Sequence, residues 1–188
     1  MFTASTLRWL QLCQRRLWRD LHVDQTPQQS QPTRLIAVIR SADQREIQRA
    51  FTMPTWAHGV ELTRQLMQQQ VEAILGACVE ATLTVEGTTE PIRFGGRIDR
   101  LVRQPEGLYA AIEMKRDPVL REGDALQLDF YTWLLCLMQG IDWLPAIFWL
   151  GADDDGFPIS VIDHAYDQFR FQQQLADILH LLSHSPRI

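Results

Sequence analysis

Lysine is almost absent from this chain. Of its 18 basic residues all but one are arginine, and the exception is Lys115. Cysteine is also scarce. Cys13, Cys78 and Cys136 are an odd, scattered set that gives no disulfide framework. No apolar run reaches membrane-spanning length, and the opening segment is interrupted by arginines where a secretory signal would need an apolar stretch. The chain is therefore expected to be soluble and cytoplasmic, with no membrane partner. There is no Walker A motif, which leaves out a nucleotide-driven motor, and no internal repeat. Positive charge is short as well. A net charge of −5 argues against nonspecific nucleic-acid affinity over the whole surface, although an acidic protein can still carry a basic cleft.

What is present points to one substantial core. The 188 residues are 46% hydrophobic and include six tryptophans, so a single domain over 1–188 is expected. An N-terminal helix is expected over 1–24, with Leu7, Leu10, Leu17 and Trp18 on a buried stripe. A Gln-rich, proline-punctuated link follows at 25–33.

The most informative stretch is Gly96-Arg97-Ile98-Asp99-Arg100-Leu101, followed by Ile112-Glu113-Met114-Lys115. In an extended strand side chains alternate faces, so Glu113 and Lys115 point one way while Ile112 and Met114 point into packing. Gln104-Pro105-Glu106-Gly107 reads as a turn, which makes the two segments a hairpin with Asp99 and Glu113 on adjacent antiparallel strands. The paired glycines Gly95 and Gly96 indicate a bulge or a close approach by another backbone. Two carboxylates so placed can share a hard cation, with an ammonium beside them to hold water or phosphate. The same strings also occur on the wet face of half-buried strands, and context has to decide.

Further along, Asp124 to Leu135 has helical apolar spacing, with Gln127 and Tyr131 one turn apart on one face. They are either the flank of a half-buried helix or the border of a polar cleft. His58 precedes Val60, Leu62, Leu66 and Met67, an amphipathic helical pattern, and is either a surface residue near a helix start or a ligand. Glu61 and Glu80 are lesser candidates. Asp142 to Leu150 reads as a buried strand, Pro158 to Ile162 as a short one, and Tyr166 to Leu182 as a closing helix. The intervening run Asp153-Asp154-Asp155 lacks the spacing and distal Glu of an EF-hand loop and reads as a solvated turn.

Taken in order, His58, Gly96-x-x-Asp99, Ile112-Glu113-Met114-Lys115 and Gln127-x-x-x-Tyr131 resemble the motif set of the PD-(D/E)XK nuclease superfamily. The likeness is to the branch holding RecB-like and CRISPR-associated adaptation nucleases, and it spans roughly residues 3 to 150. It implies an α/β fold with a restriction-endonuclease-like core, a mixed central β-sheet flanked by α-helices. It also implies a metal-dependent DNA nuclease, an exonuclease on DNA ends or single strands that leaves a 5′-phosphate. By that resemblance His58, Asp99, Glu113 and the Met114 carbonyl bind Mg²⁺ or Mn²⁺, and Lys115, Gln127 and Tyr131 complete the catalytic set. A helicase or CRISPR adaptation partner is implied too. So is the alternative of a nucleic-acid-binding or assembly subunit of a repair or adaptation complex, idle without its partner. Some members of the branch carry an iron–sulfur cluster on four cysteines; with three, this chain cannot, and Cys13 is read as a core residue.

Overall fold

In a computed structural model the described residues are 2–4, 7, 55–84, 91–115, 119–151 and 158–184. The chain order is β1 (Thr55–Trp56), α1 (Val60–Gln68), β2 (Ala73–Leu83), β3 (Ile92–Arg103), β4 (Tyr109–Lys115), α2 (Glu122–Gln139), β5 (Ala146–Leu150), β6 (Ser160–His164) and α3 (Gln168–His184). The expected link at 25–33, the body of the N-terminal helix and the acidic run after Gly151 lie outside these residues. Of the opening segment, Leu7 is fully buried, and its N–H donates to the Thr3 carbonyl at 3.2 Å, a helical interval.

Among the described residues the strands form one six-stranded sheet in sequence order. β1–β2 and β4–β5 are parallel, and the pairs between and after them are antiparallel. Each parallel pair is joined through a helix, α1 and α2 respectively, as a parallel connection requires. β3 and β4 form the expected hairpin. The Gly107 N–H donates to the Gln104 carbonyl at 2.9 Å, closing the turn. The architecture is α/β with a mixed sheet, as the resemblance implied.

Three boundaries differ from the sequence reading. β5 starts at Ala146, because Pro145 has no N–H to give a ladder. β6 runs Ser160–His164, two residues later than expected, where it pairs with the whole of β5, and α3 is likewise two residues later than expected. No strand was expected over 73–83, yet β2 is a long strand paired along most of β3. The consecutive residues Ile74, Leu75, Gly76 and Ala77 are all buried, so both of its faces are covered and the alternation that marks a half-buried strand is missing.

Helix α2 packs on β2, β3 and β4 and carries the core. Phe130, Leu128, Leu134 and Leu135 are fully buried and Trp133 is nearly so. Trp133 stands edge-on to Phe94 of β3 with ring centroids 5.3 Å apart, and meets Phe171 of α3 at 5.6 Å. Burying such rings is worth about 1.5–3 kcal/mol each, and edge-on pairing adds to it. A half-buried pair, His164 Nε2 to Asp129 Oδ1 at 2.6 Å, ties α2 to β6.

Candidate active site

The site is built where β3, β4 and the first turns of α2 meet. On β4 the alternation places Glu113 and Lys115 on one side, and Lys115 Nζ lies 3.0 Å from Glu113 Oε1. Gln127 Nε2 donates to the same oxygen at 2.6 Å. Asp99 reaches it from β3. The β2–β3 ladder pairs Leu75 with Arg100 and Ala77 with Ile98 and skips the pair between them, Gly76 and Asp99. Gly76 has φ +59°, a left-handed conformation that glycine adopts without penalty. The β3–β4 ladder stops at Arg100–Ile112. Beyond that stop the Met114 N–H finds its acceptor in Asp99 Oδ2, at 3.0 Å. A carboxylate thus takes over where the backbone ladder ends, and Asp99 is held against the Glu113–Met114 peptide.

Asp124, at the third position of α2, joins this cluster and was not among the residues drawn from the sequence. Its Oδ1 is 3.1 Å from Lys115 Nζ, and its Oδ2 accepts the Arg121 N–H at 3.0 Å in a capping box. Glu113 and Asp124 are each only 4% exposed, so the Lys115 ammonium sits between two buried carboxylates. The signal that could have found it is an acidic side chain in a helix's first turn, three residues before Gln127 on the same face.

Tyr131 lies one turn beyond Gln127 and is 7% exposed. Its ring packs on Gly96 so closely that a Cβ there would collide with it. The expected close approach by another backbone is at Gly95, whose N–H donates to the Phe2 carbonyl at 2.9 Å; at Gly96 the close neighbour is a side chain. Tyr131 and Gly96 border a cleft of about 770 Å³ that Arg64, Arg93 and Arg97 also line. Arg93 is paired with Glu80 and Arg64 with Glu61, which answers for both lesser candidates. Arg100, next to Asp99 in the sequence, is buried. It stacks over the Trp149 ring at 4.8 Å, and burial lowers its pKa to about 10.

His58 is exposed and lies two residues before α1, because Gly59 at φ +103° turns the chain ahead of the helix. Among the described residues no three His, Cys, Asp or Glu side chains converge as a ready metal set, so His58 is not gathered with Asp99 and Glu113. Cys78 is half-buried and Cys136 fully so. Among the described residues no helix is long and apolar enough to cross a membrane.

With the hairpin, the carboxylate pair and the lysine described, comparison with known proteins shows the family. A family model described as the PD-(D/E)XK nuclease superfamily matches residues 6–154, and the chain belongs to that superfamily. Its members are phosphodiester hydrolases that use divalent metal ions. No curated protein matches. The crystal structure of SSO0001 is similar in fold, with a TM-score of 0.52 and 15% identity over 100% of this chain and 78% of that one.

Proposed function

We propose that this chain is a metal-dependent DNA nuclease of the RecB-like branch, working as an exonuclease on DNA ends or single strands. The observation that carries the reading is the meeting of Asp99, Glu113, Lys115 and Gln127 on the two central strands of the sheet and the helix that follows them. The donors fit a hard divalent cation in kind. Asp99, Glu113 and the Met114 carbonyl offer oxygen, as Mg²⁺ and Mn²⁺ prefer, and His58 is added by resemblance alone. Bound there, the ion would polarise a phosphoryl oxygen and make a bound water more acidic.

The chain's own groups do the rest. Gln127 fixes the rotamer of Glu113 through its amide N–H. Lys115, charged and nearly removed from solvent, is placed to orient the attacking water or to meet the charge that grows on phosphate. Arg64, Arg93 and Arg97 along the cleft suit a sugar–phosphate backbone, and Tyr131 at its border suits a phosphate or a base. A helicase or CRISPR adaptation partner belongs to this reading through the branch resemblance.

The test is digestion of end-labelled single-stranded and duplex DNA with Mg²⁺ or Mn²⁺, with Lys115→Ala as control. Stepwise shortening from a labelled end, silenced by chelation and by the substitution, is expected. Cleavage that persists in Lys115→Ala would overturn the site. Internal cuts in closed circular DNA would overturn the exonuclease reading.

A further inference from the structure

We propose that Asp124 is a positioning residue for Lys115, and that through this lysine it sets how readily Glu113 accepts a divalent cation. The inference rests on the nuclease reading above and deepens it.

Glu113 Oε1 carries two donors, the Lys115 ammonium at 3.0 Å and the Gln127 amide at 2.6 Å. A metal ion arriving at Glu113 meets a cation already seated on that carboxylate. Like charges this close, and this far from water, repel strongly. The ammonium therefore has to give up its share of Glu113 without being left as a lone buried charge, which is the expensive outcome. Asp124 removes that difficulty. Its Oδ1 lies 3.1 Å from Lys115 Nζ, and the side chains of Lys115, Glu113 and Asp124 are 15%, 5% and 6% exposed. The ammonium can give up Glu113 and still keep a carboxylate partner in Asp124.

Asp124 is also held in place for this task. Its second oxygen accepts the Arg121 N–H at 3.0 Å, and its own N–H donates to the Arg121 carbonyl at 2.8 Å. The carboxylate is locked at the start of α2, whose apolar half is anchored in the core. A cap needs only an oxygen, and an uncharged residue would serve. The charge directed at Lys115 is what a cap alone leaves unexplained.

The test separates charge from cap. Asp124→Asn keeps an oxygen for the Arg121 N–H and loses the charge. Mn²⁺ binding is measured by calorimetry for wild type, Asp124→Asn, Lys115→Met and the double variant, and cleavage as a function of Mn²⁺ concentration for wild type and Asp124→Asn. Asp124→Asn should bind Mn²⁺ roughly three- to tenfold more weakly and need correspondingly more of it to cleave. Lys115→Met should bind it more tightly than wild type, because the competing ammonium is gone. In the Lys115→Met background the Asp124 substitution should change Mn²⁺ affinity by less than about twofold.

Unchanged Mn²⁺ affinity in Asp124→Asn would reduce Asp124 to a cap. Equal weakening in both backgrounds would show a plain field effect that does not pass through Lys115. Should Asp124→Asn fail to fold, Asp124→Ser supplies the cap oxygen without the charge, and Lys115→Met still decides, since looser Mn²⁺ binding there overturns the competition. If the wild type binds no Mn²⁺, the nuclease reading falls and takes this inference with it. If it binds Mn²⁺ normally and the variants follow no such pattern, this inference alone falls.

Discussion

The two halves of helix α2 face the same sheet and do opposite work. The first half presents Asp124 and Gln127 to Lys115 and Glu113, a knot of charge and amide almost shut off from water. The second half presents Phe130, Trp133, Leu134 and Leu135 to an aromatic core shared with Phe94 and Phe171. Buried ion pairs are poor sources of stability, since the desolvation they need consumes most of what their attraction returns. Buried rings are good ones. The apolar half can therefore hold the helix in register while the polar half serves the chemistry proposed for it.

That division can be broken from either side. The largest effect expected is on catalysis. Glu113→Ala should lower cleavage of end-labelled DNA by roughly 10³-fold or more while circular dichroism still reports a folded chain. A turnover near that of wild type would mean that the polar half is not the active site. Next comes Trp133→Ala in the apolar half, expected to lose about 3–5 kcal/mol in urea unfolding. Cleavage per folded molecule should hold; its disappearance in a fully folded variant would show that the two halves are not separable.

A smaller effect sits at the border between the halves. Gly96→Ala forces the Tyr131 ring aside and should cost about 1–3 kcal/mol by overpacking. The double variant Gly96→Ala/Tyr131→Phe should be no better, because the collision is with ring carbons rather than the hydroxyl; relief by removing the hydroxyl would refute that contact.

The smallest effect is a pH dependence of the apolar half. Burial, followed by the Asp142 charge, pushes the Cys136 thiol from its ordinary 9.0 up to about 12, and burial raises Tyr166 and Tyr109. The folded state then keeps protons that the unfolded chain gives up. The thiol's stabilising contribution is whole below about pH 9 and is lost between about 9 and 12. The melting temperature should fall between pH 8 and about 10.5, and fall less steeply in Cys136→Ala. Parallel melting curves for the two proteins would count against a buried neutral thiol.

Much of the first half was legible in the sequence, because strand alternation and helical spacing are local rules. The Glu113–Lys115 pair follows from period two, the Gln127–Tyr131 stripe from period 3.6, and the hairpin from Gln104-Pro105-Glu106-Gly107. Two other features were hidden. β2 is covered on both faces, and its Ala, Gly and Cys positions give no periodic contrast. Asp124 belongs to no spaced motif; its worth arises only when the helix start is folded back over Lys115. The burial of Arg100 was hidden for a related reason: it depends on the β4–β5 pairing, which brings Trp149 over it.

The polar cluster is also drawn from one unbroken stretch of chain, from Asp99 through the Gln104–Gly107 turn to Gln127. A short turn closes the β3–β4 pair at little entropic expense, and α2 starts only a few residues after β4 ends. The parallel neighbours β1 and β5 must wait for their crossover helices, and such pairings are slow to form. The chain can thus gather its carboxylates and lysine before the sheet around them is complete.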